Sequence, residues 1–128
     1  IQLLLGKREI ATHQAQQWLE SDNAFFNRSR SVGNWGDFER SKLQYIAGQF
    51  GEAELLEHAS WSKLTEIDAN WLIGCNFLSQ GKRGEAREHF AKAAAYDARW
   101  FVTQSLAAGM LKHAEDDSSW PQWLPAGS

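Results

Sequence analysis

Apolar residues recur at helical spacing in blocks, and glycine, serine and asparagine separate the blocks. Ile1–Leu5 is a short apolar segment that stops at Gly6. Over Ile10–Glu20, Ile10, Gln14, Ala15, Trp18 and Leu19 lie near the 3.6-residue period and predict a helix. The polar run Ser21-Asp22-Asn23 ends it. Asn27–Gly36, with Gly33, Asn34 and Gly36, predicts the longest loop. Asp37 then stands as an N-cap for a helix over Phe38–Ala47, whose apolar side is Phe38, Leu43, Tyr45 and Ile46. Gly48 stops that helix, and Ala53, Leu55, Leu56 and Ala59 predict another over Glu52–Ala59. After a connector at Ser60–Leu64, Thr65 and Asp68 have the spacing of a capping box. They open a helix over Glu66–Gln80 that is apolar almost all round (Ile67, Trp71, Leu72, Ile73, Phe77, Leu78). Such a helix needs packing on both sides, so it is the expected centre of the structure. Glu85–Tyr96 and Arg99–His113 complete the predicted helices, with a turn at Asp97-Ala98.

A corner recurs along this pattern: Gly6 to Ala11, Gly48 to Ala53 and Gly81 to Ala86 each place alanine five residues after glycine. Glycine supplies the left-handed residue that reverses the chain, and alanine lets two antiparallel helices approach closely. From Gly48 to Gly81 the interval is 33 residues, and from Gly6 to Gly48 it is 42. Helix–turn–helix units repeating at about 34 residues are the mark of tetratricopeptide repeats. The third copy, about residues 66–98, matches best. Gly74 and Ala86 fall at close helix contacts, Phe77 and Phe90 at large apolar positions, Gly81 at the turn and Ala93 at the next small position. Ala98 stands where that family has proline. In the second copy Gln44 occupies a large apolar position, and Tyr45 with Ile46 are expected to replace it by a register shift. Only the second helix of the first copy is intact.

The chain therefore resembles the tetratricopeptide family. Residues from about Leu43 to Leu111 further resemble the C-terminal repeats of bacterial NlpI-type lipoproteins, through the helix ending before Glu52-Ala53, the Trp71–Gly81 helix and Phe101-Val102. That resemblance implies an adaptor that brings proteases and cell-wall hydrolases together in the periplasm and pairs as a dimer. The chain has no lipobox cysteine, so the family's anchor is not carried over.

Composition narrows the reading. The 128 residues carry a net charge of −3, which gives no general attraction to nucleic acid. Arg28-Ser29-Arg30, Lys7-Arg8 and Lys82-Arg83 read as solvated loop charge. Cys75 is the single cysteine, so neither an intrachain disulfide nor a cysteine-rich zinc site is available. Cytoplasm and periplasm both stay open. No apolar run reaches the roughly 20 residues that span a bilayer. Ile1 is not a natural initiator, so a fragment or processed form is expected.

Candidate chemistry is sparse. Glu54/His58 and Glu85/His89 share helix faces at i, i+4, but lack the Glu-x-x-His spacing of di-metal bundles and read as surface pairs. Cys75 lies mid-helix without a basic neighbour to activate it. We therefore expect no catalytic residue, no metal and no cofactor. Seven tryptophans are more informative. Trp18, Trp71 and Trp100 read as core or groove wall, and Trp35 and Trp61 as covers for helix ends. Trp120 and Trp123 lie in a proline-containing tail, where two readings stand: docking on a partner, or folding back over the last helix.

The expectation is an all-α protein: a short right-handed tetratricopeptide-like solenoid over residues 1–114, followed by a tail at 115–128. On the family frame Asp68, Trp71, Cys75, Leu78 and Ser79 line a concave face. With Trp120 and Trp123 they are the expected contacts for an apolar or aromatic peptide or protein. Homo-oligomerisation or self-docking through Trp120–Pro125 is the alternative, and a helical enzyme or metal bundle is the reading of another class.

Overall fold

The computed structural model describes residues 7–21, 34–96, 102–117 and 120–121, and every regular element among them is a helix. In chain order these are α1 (Arg8–Ser21), α2 (Asn34–Ile46), α3 (Glu52–Ala59), α4 (Lys63–Ser79), α5 (Arg83–Ala94) and α6 (Val102–Asp116). The expected segments at residues 1–5, 27–33 and 97–101, with Trp100, lie outside the described residues, as do the side chains of Trp18 and Trp35.

Both described glycine corners close in the same way. At Gly81 φ is +77°, the Gly81 N–H donates to the Leu78 carbonyl (2.9 Å) and the Lys82 N–H to the Phe77 carbonyl (3.0 Å). At Gly48 φ is +83°, with Gly48 N–H to the Tyr45 carbonyl (3.1 Å) and Gln49 N–H to the Gln44 carbonyl (2.8 Å). This is the Schellman pattern, in which a left-handed residue lets two N–H groups satisfy the last helical carbonyls. The sequence corners at 48 and 81 are thus the same physical device.

The helix starts differ from expectation. α2 begins at Asn34, so Asp37 lies inside its first turn rather than at its cap. α4 begins at Lys63, and its cap is Ser62, whose Oγ accepts from the Leu64 N–H at 3.2 Å. Thr65 is the third residue of the helix, within its first turn, and is fully buried. Its hydroxyl lies within reach of the Ala59 and Ser62 carbonyls and donates to one of them at a time. A buried hydroxyl must find an acceptor, and the end of α3 supplies one.

Consecutive helices pack against one another, α4 also touches α2 and α6, and the most extensive contact is between α4 and α5. Ile67, Ala69, Leu72, Ile73, Cys75 and Leu78 of α4 are all buried, as an almost wholly apolar helix requires. At the α4–α5 crossing Gly74 faces the Phe90 ring so closely that an added Cβ would stand 2.6 Å from its nearest carbon. Ala86 and Ala93 are buried on the same side of α5. Tyr45, and not Gln44, enters the core, and its hydroxyl accepts from Asn76 Nδ2 at 2.7 Å. Ala53 departs from the repeat pattern: it is exposed, and α3 buries Leu55 and Ala59 instead. Eight residues give α3 little more than two turns, and the burial of Leu55 sets its rotation. Behind α5, Gln104 of α6 donates to the Ala94 and Tyr96 carbonyls at 2.9 and 3.1 Å and satisfies two groups at that helix end.

Candidate functional site

The face expected to meet a partner starts at Asp68. Its carboxylate accepts from Lys42 Nζ at 3.1 Å, and Lys42 also pairs with Glu39 at 2.8 Å. Burial alone would lower the Lys42 pKa, but Asp68 and Glu39 outweigh it and hold the ammonium above its ordinary value. Asp68 therefore ties α4 to α2 and does not stand as a free charge.

One turn further on, Trp71 is half-buried and touches both apolar clusters of the protein, one centred on Leu55, Leu72 and Phe90 and the other on Ile67, Ala93 and Ala107. Its indole Nε1 is a buried donor with no acceptor among the described residues. Leaving such a donor unpaired costs about 1–3 kcal/mol.

Cys75 and Leu78 correct the expectation. They are 1% and 2% exposed, packed in the core with Phe38, Tyr45 and Leu55, and present nothing to a partner. Helical spacing sets the direction of these side chains, but neighbouring elements decide whether that direction is open. Burial also pushes the Cys75 thiol up to about 12, so at neutral pH it is a protonated core group and no nucleophile. Ser79 is half-buried and donates to the Asn76 carbonyl of its own helix at 2.6 Å. Of the five α4 residues, Asp68, Trp71 and Ser79 retain some surface.

The tail is held by its own chain. Arg83, the first residue of α5, donates from Nε to the Trp120 carbonyl (3.0 Å) and from Nη2 to the Pro121 carbonyl (3.3 Å). The Trp120 ring stacks on His113 of α6 with centroids 5.5 Å apart, and Pro121 is buried. Arg83, Gly84, Arg87, Ala114 and Trp120 border a cleft of about 130 Å³. Trp123 lies outside the described residues.

The polar cluster that sequence reasoning missed lies between α3, α4 and α5. His89, expected on the surface with Glu85, is buried; its Nδ1 is 3.0 Å from Asn70 Oδ1 and its Nε2 is 3.1 Å from Glu52 Oε1. Phe77 stacks on the ring at 5.5 Å. Burial pushes the His89 pKa below its usual value and Glu52 works against that shift. His58 likewise has a tertiary partner, Ser41 Oγ at 3.0 Å. The i, i+4 spacing puts each histidine beside a glutamate of its own helix, but their partners lie 37 and 19 residues from His89 and 17 from His58 and carry no local signal. Among the described residues no three His, Cys, Asp or Glu side chains converge to hold a metal, and no described helix is long and apolar enough to cross a membrane.

No protein-family model, curated protein or solved structure matches the chain.

Proposed function

We propose that the chain is a non-enzymatic binding module of the tetratricopeptide-like, adaptor kind, in which helix pairs stack as a short solenoid and α4 offers Trp71 to an apolar or aromatic segment of another protein. The observation that carries this reading is Trp71 itself. It is a large, partly exposed aromatic that packs against both apolar clusters, and its buried indole N–H has no acceptor among the described residues. An apolar or aromatic side chain laid over the exposed part of the ring would bury that remaining surface. The repeated Schellman corners at Gly48 and Gly81 and the Gly74–Phe90 contact support the repeat architecture behind it. The contact surface is narrower than the sequence implied: Asp68, Trp71 and Ser79, without Cys75 and Leu78.

The test is selection of peptides from a random library on the immobilised chain, followed by titration against wild type, Trp71→Phe and Trp71→Ala. Trp71→Phe keeps an aromatic ring at the site but offers a smaller surface. Enriched apolar or aromatic sequences should bind Trp71→Ala about 10–100-fold more weakly, the equivalent of about 1.5–3 kcal/mol of aromatic burial. Trp71→Phe should show an intermediate loss. Equal affinity for all three proteins, with circular dichroism showing them folded, removes the proposed surface.

A second reading rests on Trp120. Because Arg83 holds the Trp120 and Pro121 carbonyls, the tail serves as a self-docked cap over α5 and α6. Sedimentation of a chain ending at Ala114 tests it against exchange between copies. An unchanged monomer fits self-docking, and loss of an oligomer assigns the tail to a neighbouring copy.

A further inference from the structure

The bridge at His89 has a protonation state that its geometry dictates. Asn70 Nδ2 lies 3.0 Å from the Glu66 carbonyl. A carbonyl oxygen only accepts, so the amide orientation is fixed and Asn70 Oδ1 is the atom that faces His89 Nδ1. That oxygen also only accepts, so Nδ1 carries a proton. A neutral ring then presents a lone pair from Nε2 toward Glu52 Oε1, 3.1 Å away, where an ionised carboxylate presents another. The contact is attractive only with a proton between them.

We propose that Glu52, His89 and Asn70 form a proton-dependent clasp across α3, α4 and α5: one proton shared by His89 Nε2 and Glu52 Oε1 closes it, and its loss frees Glu52 and loosens the first turn of α3. Glu52 has somewhere to go, since its side chain is 42% exposed while the imidazole is buried. The groups around the ring sharpen the claim. Glu52 on α3 is the charge in contact; α4 contributes only neutral Asn70 and Phe77; on α5 itself Glu88 favours the imidazolium and Lys92 opposes it. Tyr45 of α2 feels Glu52, and burial raises its pKa, which keeps the phenol neutral.

The direction in pH follows. The desolvated ring takes up its proton below the ordinary histidine value, so the clasp closes only on the acid side of that value and is open at neutral pH. A histidine with a depressed folded pKa contributes stability that is present above the unfolded value and lost as pH falls through the folded one. Closing the clasp reduces that loss without abolishing it.

The experiment follows the histidine Cε1–H resonances of the whole chain by NMR, together with exchange protection of the Leu55 amide, which donates to the Gly51 carbonyl at the start of α3 (3.1 Å). In wild type, Leu55 protection rises as pH falls through the His89 midpoint. Glu52→Gln lowers that midpoint by about one unit and abolishes the rise. Glu54→Gln serves as control, because its carboxylate meets the Gly51 N–H and not His89, and it leaves the midpoint in place. The same His89 midpoint in wild type and Glu52→Gln, or Leu55 protection that does not follow the titration, overturns the proposal.

Discussion

Replacing Gly74 with alanine inserts a methyl group into the closest contact between α4 and α5. The new Cβ would stand 2.6 Å from Phe90 Cε1, 2.8 Å from Cδ1 and 3.1 Å from Cζ. Carbon atoms in contact prefer about 3.5–4.0 Å, so the ring or the helix must withdraw by about 1 Å. The atoms struck are the far end of a side chain, but Phe90 is 1% exposed, so the ring cannot withdraw into solvent and its core neighbours must give way. Overpacking of this kind costs about 1–3 kcal/mol, and a fully buried ring belongs at the upper end. Alanine returns about 1 kcal/mol through helix propensity. The net expectation is a loss of about 2 kcal/mol, or a Tm lowered by about 6–10 °C for a chain of this length. Two controls separate packing from propensity: Gly84→Ala and Gly109→Ala meet nothing within 4 Å and should stabilise by up to about 1 kcal/mol. Urea and thermal unfolding followed by circular dichroism measure all three. Combining Gly74→Ala with Phe90→Leu should recover part of the loss that the two single changes sum to. A Gly74→Ala protein as stable as its Gly84→Ala and Gly109→Ala counterparts would refute the close-contact argument.

Gly81→Ala should cost about 1–2 kcal/mol in thermal unfolding, because φ is +77° where a Cβ crowds the following carbonyl. Ser62→Ala should lower stability by about 1 kcal/mol through loss of the cap on Leu64, whereas Asp68→Asn, which leaves that cap intact, should act through Lys42 and make stability less dependent on salt. With its thiol pushed up to about 12, Cys75 should be inert to a disulfide reagent at pH 8 in the folded protein and react fully in guanidinium; fast reaction in native buffer contradicts its burial. Arg83→Ala should speed hydrogen exchange at the Trp120 amide, which donates to the Asp117 carbonyl at 3.1 Å, because the grip on the following carbonyls is gone.

The sequence alone determined the helical class, the corners at Gly48 and Gly81, the bounds of α3 and the central place of α4. These are local matters. Glycine is what a left-handed corner needs, and a helix with apolar residues on every side has to be enclosed wherever it lies. Helical spacing also puts Asp68, Trp71, Cys75, Leu78 and Ser79 on one side of α4. Only the tertiary structure decided which parts of that face are open. Cys75 and Leu78 are enclosed in a core cluster to which α1, α2, α3 and α5 all contribute, and nothing within their own helix encodes that cover. Ala53, in the same sequence context as Ala86, turns outward because Leu55 and Ala59 win the core. His89 changes from a surface residue to the hub of a buried bridge because Glu52 and Asn70 reach it from two other helices. Periodicity assigns a side chain to a face; packing against distant segments decides whether that face meets water, core or a proton.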